Sequence, residues 1–288
     1  MQQQRFELKY LIDEPIALRI RDFVRCYLSF DENSVGKPNF SYPVHSVYLD
    51  SDDLVTYWDT INGNKNRFKL RMRYYSAEPD EPVFFEIKRR MNNCIMKQRG
   101  VVRQSSIESL LAGHYPTEDM LISKNPWQYF ALQNFCNLMS KLQARPKVHI
   151  AYLREAYVSD NDQVRVTIDR AVDAEANPLR SVKTEMARPA RSFDGQVILE
   201  LKYTNRFPTW FNELVRVFGV MQCGAAKYVN SIEAIGSRPP GCPAQGIPEG
   251  ALPISHEAEK TLNVERWNFE EFPAPLSGGL ACRVTFVT

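Results

Sequence analysis

The chain has 288 residues, 44% of them hydrophobic, and sets 36 Lys and Arg against 34 Asp and Glu for a formal net charge of +2. That is enough chain and apolar content to bury a full core, in one domain with a tail, and the near-balanced charge excludes a globally basic, nucleic-acid-type protein. The six cysteines form no Cys-x-x-Cys pair and the four histidines no His-Glu-x-x-His helix, which argues against a disulfide framework, a zinc site or a metalloprotease and fits a reducing cytoplasm.

In chain order, residues 3–12 read as a first strand. Pro15 opens a helix with Ile16, Ile20, Phe23, Val24, Tyr27 and Leu28 on one stripe and Arg19, Arg21 and Arg25 on a solvated face. After a polar loop, residues 44–50 form a strand, and a short helix over 52–62 ends at Gly63. Three strands over 65–75, 83–90 and 94–103 follow, joined by a Pro79/Pro82 turn and an Asn92-Asn93 turn. Residues 105–113 are a short helix, and Pro126 starts a longer one whose Trp127, Phe130, Phe135, Leu138, Met139 and Leu142 are spaced for burial. Residues 146–159 and 164–172 make a long hairpin. The basic stretch 178–194 is irregular, a surface loop or a mobile one at a site mouth. A strand over 196–204, a helix from Pro208 and a last helix over 226–236 complete the regular part. Beyond Gly236 a Pro/Gly-rich stretch breaks all periodicity, so 237–288 is expected to be a poorly ordered tail following one domain over 1–236.

The chemistry lies in the strands. Strict alternation puts Arg67, Lys69, Arg71 and Arg73 on one face and Phe68, Leu70 and Met72 on the other. Like charges two residues apart sit about 6.5–7 Å from one another, so each adjacent pair costs on the order of 2 kcal/mol at an effective dielectric near 20. An anion is needed to offset that. Residues 6–10, 85–88 and 199–203 each place Glu and Lys at i and i+2, and 164–169 carries Arg165, Thr167 and Asp169 on one face. Taken singly, such strands are half-buried with their polar faces in water. Taken together, with enough apolar helices to coat one side, they predict an α+β fold in which a closed antiparallel β-barrel has helices packed outside and a charged interior. Single-strand nucleic-acid binding by the basic face is the weaker alternative, since no recognisable motif accompanies it.

The ordered segments Arg-Phe-Glu-Leu-Lys-Tyr at 5–10, Ser-Val-Tyr-Leu-Asp at 46–50, Lys-Leu-Arg-Met-Arg-Tyr-Tyr at 69–75, Phe-Glu-Ile-Lys at 85–88, Pro-Lys-Val-His-Ile-Ala-Tyr-Leu-Arg-Glu-Ala-Tyr at 146–157, Val-Arg-Val-Thr-Ile-Asp at 164–169, Leu-Glu-Leu-Lys-Tyr at 199–203 and Lys-Tyr at 227–228 resemble the VTC catalytic domain of polyphosphate polymerases, of the triphosphate tunnel (CYTH-like) superfamily. The resemblance covers residues 1–236. It implies that Lys9, Arg71, Arg73, Lys88, Lys97, Arg154, Arg165 and Lys227 line a tunnel and bind the phosphates of ATP and of inorganic polyphosphate or pyrophosphate. Lys69, Arg99, Lys202 and Tyr48 are further candidates for substrate binding. Glu200 would hold a divalent metal, manganese or magnesium. The implied reaction is transfer of the γ-phosphoryl of ATP to the growing chain, with ADP leaving.

The sequence departs from the wider superfamily in one place: Arg5 stands where the first Glu of a Glu-x-Glu-x-Lys motif is expected, leaving Glu7 and Lys9. Ile198 likewise precedes Glu200 where another carboxylate would fit. Fewer carboxylates weaken a water-activating two-metal site and favour a polymerase over a triphosphatase. The triphosphatase reading would use Glu7 or Glu86 as base, although both also suit salt bridges that orient lysines. A non-catalytic polyphosphate or nucleotide sensor is the third possibility. No apolar run long enough to span a bilayer and no secretory leader is seen, so a cytoplasmic protein is expected, with any membrane coupling supplied by a partner polypeptide.

Overall fold

The structure, a computed structural model, describes residues 5–92, 94–177 and 182–236. The expected tail over 237–288 lies outside the described residues. The elements run β1 (Arg5–Ile12), α1 (Glu14–Val24), β2 (Ser29–Phe30), β3 (Ser41–Asp50), α2 (Val55–Ile61), β4 (Asn66–Tyr74), β5 (Val83–Met91), β6 (Cys94–Val102), α3 (Ile107–Leu111), α4 (Pro126–Leu142), β7 (Arg145–Val158), β8 (Val164–Ala176), β9 (Ala190–Arg191), β10 (Val197–Thr204), α5 (Thr209–Phe218) and α6 (Lys227–Ala234). The fold is mixed α+β. Among the described residues no helix is long and apolar enough to cross a membrane.

The strands form one antiparallel sheet in the order β2-β7-β3-β4-β5-β6-β1-β10-β8-β9, and β7 pairs a second time, with β8. That extra ladder is extensive, running from Val148↔Ala176 to Val158↔Arg165. The β6–β1 seam, by contrast, carries the single pair Arg5↔Ile95. The expected barrel is therefore met in part: the sheet turns back on itself, but a continuous hydrogen-bonded ladder does not close it.

The period-two pattern divides the faces as anticipated. Leu70, Met72, Tyr74, Phe85 and Ile87 pack with Leu110, Leu132, Phe135 and Met139 of α3 and α4. Tyr10, Ile168, Leu199 and Leu201 pack with Ile20 and Val24 of α1 and Phe211 and Leu214 of α5. Helix α1 starts where Asp13 Oδ1 accepts from the Ile16 amide at 2.9 Å with Pro15 just inside, and α4 starts likewise at Asn125 and Pro126. Short α6 is placed differently: Tyr228, Val229 and Ile232 join Tyr48, Ile150, Tyr152, Ala174 and Ile198 in a third cluster, on the polar side of the sheet.

Three expectations need correcting. Trp127 is 79% and Phe130 50% exposed, because α4 buries the stripe Ala131, Leu132, Phe135 and Met139, and these two rings fall off it. Arg21 is not on a solvated face: its guanidinium donates to both oxygens of the buried Glu155 of β7, at 2.7 and 2.8 Å. The basic stretch is partly organised, since β9 pairs with β8 and the Tyr74 hydroxyl donates to the Lys183 carbonyl; positions 178–181 lie outside the described residues.

Candidate functional site

On the polar face of β4, β5 and β6, register sets Arg71, Glu86 and Arg99 in one cross-strand row and Lys69, Lys88 and Lys97 in the next. Buried Glu86 meets Arg71 Nε at 2.6 Å, Arg99 Nε at 2.7 Å and Lys97 Nζ at 2.6 Å. Burial alone would raise its carboxyl, but these cations and Arg73 hold it well below the ordinary carboxylate range. Lys88 reaches Glu7 of β1 at 2.9 Å, and Lys9 meets the other oxygen of Glu7 at 3.2 Å. Glu7 is also held low, burial being outweighed by Lys88 and Lys9.

A second knot joins β1, β7, β8, β10 and α6. Glu200 ion-pairs with Lys227 at 2.9 Å, Lys9 at 3.3 Å, Arg154 at 3.6 Å and its own neighbour Lys202. Asp169 takes a bidentate pair of 2.7 Å bonds from Arg154 and a 2.6 Å contact from Lys227. Burial of Glu200 is again overcome by Lys202, Lys227 and Lys9, which keep it ionised. The same burial lowers Lys202 to about 8 despite Glu200.

Two of the cations have no carboxylate within ion-pair distance among the described residues. Arg73, 6% exposed, donates to the Ser46 hydroxyl at 3.3 Å and to the Tyr152 hydroxyl at 2.9 Å. Lys69 lies 5.5 Å from the Tyr228 ring centroid, and desolvation brings it down to about 7. Tyr48, stacked on Tyr228 and 3.3 Å from Arg71 Nη1, moves the opposite way from what burial dictates: Arg71, Arg73 and Lys69 lower its phenol to about 7. Arg165, the cross-strand partner of Lys202, is paired with Asp31 at 2.8 Å, and among the described residues it has no ion pair with Glu7, Glu86, Asp169 or Glu200.

Thus the structure brings together Lys9, Lys69, Arg71, Arg73, Lys88, Lys97, Arg99, Arg154, Lys202, Lys227, Tyr48 and Glu200 on one face, and leaves Arg165 at its margin. Sequence reasoning missed Asp169, Ser46 and Tyr152 as partners of these cations; each shares strand parity with a residue already singled out, which is the signal that would have found them. For a divalent metal, no group of three or more His, Cys, Asp or Glu side chains among the described residues is disposed to hold one. A cation held chiefly by phosphate oxygens and water needs only one or two carboxylates. Glu200, with the Thr167 hydroxyl 3.3 Å away, fits that lesser demand and not a protein-only cage.

Among curated proteins, none matches the chain. Among solved structures, the chain is similar to a conserved hypothetical protein from Pyrococcus furiosus at 10% identity and a TM-score of 0.36, covering 75% of this chain and 91% of that one. The profile of the VTC domain matches residues 4–235, and by that match the chain belongs to the VTC domain family.

Proposed function

We propose that the protein is a polyphosphate polymerase that transfers the γ-phosphoryl of ATP to a growing polyphosphate chain, within a bore formed as the sheet curls round its charged face. The family is associated with polyphosphate metabolism. One observation carries the reading furthest: cations from β1, β4, β5, β6, β7, β10 and α6 outnumber the carboxylates they meet, and Lys69 and Arg73 meet none among the described residues. The carboxylates Glu7, Glu86 and Glu200 offset part of this charge, and phosphate oxygens would offset the remainder.

Phosphoryl transfer through a loose transition state asks mainly for positioning and charge neutralisation. A terminal oxygen of the acceptor chain attacks the γ-phosphorus in line, the bond to the bridging β-phosphate oxygen breaks, and ADP leaves with that electron pair. Arg71, Arg73 and Arg154 supply planar forks for equatorial oxygens, while Lys9, Lys88, Lys97 and Lys227 supply point charge. Lys69, Arg99, Lys202 and Tyr48 extend the contact surface, and Arg165 serves the margin. A manganese or magnesium ion arriving on the phosphates would be met by Glu200 and would neutralise charge on them. Glu7 and Glu86 orient lysines and arginines in this reading. Held below the ordinary carboxylate range, each is a weak base for activating water, which disfavours the triphosphatase alternative.

Incubation with ATP and manganese is expected to yield a polyphosphate ladder and ADP. Arg71→Ala and Glu200→Gln should each reduce synthesis by about 10²-fold or more, the range for removing one preorganised charge from a transition state. Orthophosphate as the only product would assign the triphosphatase, and phosphate affinity without turnover would assign a sensor.

A further inference from the structure

Beyond the residues assigned above, the cationic column of β4 and β5 continues for one more cross-strand row. Arg67 and Arg90 are direct partners across the ladder, next to Lys69 and Lys88. Each guanidinium donates a hydrogen bond to a backbone carbonyl, Arg67 to Asn64 at 2.5 Å and Arg90 to Asn92 at 2.8 Å. Neither has a carboxylate within ion-pair distance among the described residues; Asp59 acts on Arg67 from farther off and already accepts from Asn64 at 2.6 Å. The pair faces a cavity of about 550 Å³ lined by Gly63, Lys65, Arg67, Arg90 and Asn92.

Two arginines directly opposite one another on a ladder are destabilising unless an anion lies between them. Carbonyl anchoring leaves most of each fork available, in the arrangement that suits tetrahedral phosphate oxygens. The two rows next to it, Lys69 with Lys88 and Arg71 with Glu86, each meet an acid of the protein, at Glu7 or Glu86. We infer that Lys65, Arg67 and Arg90 form a separate subsite for a distal segment of a linear inorganic polyphosphate chain, which holds the polymer while its terminus lies among Arg71, Lys88 and Lys97. This rests on the polymerase reading and adds to it the position of the polymer. From Arg73 to Arg67 the column spans about 20 Å at 3.3–3.4 Å per residue, so tripolyphosphate bound at the inner rows does not need the outer one.

Calorimetric titration of the full chain with tripolyphosphate and with a long linear polyphosphate tests this. Wild type is expected to bind the long chain more tightly, and Arg67→Gln/Arg90→Gln to keep its tripolyphosphate affinity while losing on the order of tenfold for the long chain, as when one of two linked contacts is removed. Lys65→Gln, at an exposed side chain, gives the same test alone should the double variant lose its fold. A long-chain preference that survives both variants overturns the subsite and leaves the polymerase reading intact. Wild type that binds neither phosphate overturns the polymerase reading itself.

Discussion

Lys69 shows how a single side chain on this face is tuned. It is walled in by Lys9, Lys88 and Arg67 with no acid of its own among the described residues, so desolvation and like charge lower it to about 7, and Lys202 falls to about 8 for the first of these reasons. Below those values both are cations; above them both are neutral. Affinity for tripolyphosphate is therefore expected to fall as pH rises through 7 to 8, and binding in that window should take up protons, because an arriving anion favours the charged amine. Calorimetry in buffers of different ionisation enthalpy measures that uptake, and Lys69→Gln should diminish it. Stability runs the other way. The unfolded chain, with lysine near its ordinary value of 10.5, binds more protons than the folded one, so stability rises with pH from about 7 toward that value. Proton release on binding, or none, would refute the tuning.

At the scale of elements, the helices outside the sheet are fixed by close packing, and Gly100 of β6 lies at one close approach, against α4. A Cβ there would stand 3.0 Å from Leu132 Cβ and 3.1 Å from the Gln128 carbonyl of α4. Backbone cannot yield as a flexible side chain does, so Gly100→Ala should destabilise the fold by about 1–3 kcal/mol, the usual cost of overpacking. A lowered urea midpoint with unchanged slope would report it; wild-type stability would mean that α4 moves without penalty. Such contacts explain what was readable beforehand. β4 and β5 were clear because alternation at period two is local, and α1 and α4 because Asp13 with Pro15, and Asn125 with Pro126, mark their starts. Two-residue β2 and β9 have no period to read, and they exist only through β7 and β8. Arg21 and Glu155 lie 134 positions apart, so no spacing rule could pair them. For the site, the charged parity was visible strand by strand. Which acid each cation meets depends on register between distant strands, as Lys88 with Glu7 shows.

The whole molecule gathers this excess of cations from strands that are distant in sequence, and four buried or nearly buried acids, Glu7, Glu86, Asp169 and Glu200, offset only part of the repulsion. Held apart by about 6.5–7 Å, uncompensated neighbours cost on the order of 2 kcal/mol each at an effective dielectric near 20. The ligand-free fold therefore stands below its attainable stability, and a polyanion completes it. At a concentration 100 times its dissociation constant, polyphosphate should stabilise the native state by about 2.7 kcal/mol. For a domain of this size that corresponds to a rise in Tm of roughly 5–10 °C. Potassium chloride, which screens without bridging strands, should give a smaller rise, and should weaken the polyphosphate effect where it competes at partly exposed cations such as Lys97 and Arg99. Arg71→Ala removes a central cation from the Glu86 row and should reduce the polyphosphate shift at equal ligand concentration. Differential scanning fluorimetry with and without ligand separates these outcomes. A shift equal in wild type and Arg71→Ala, or one that chloride reproduces in full, would mean that the anion is not bound where the strands converge.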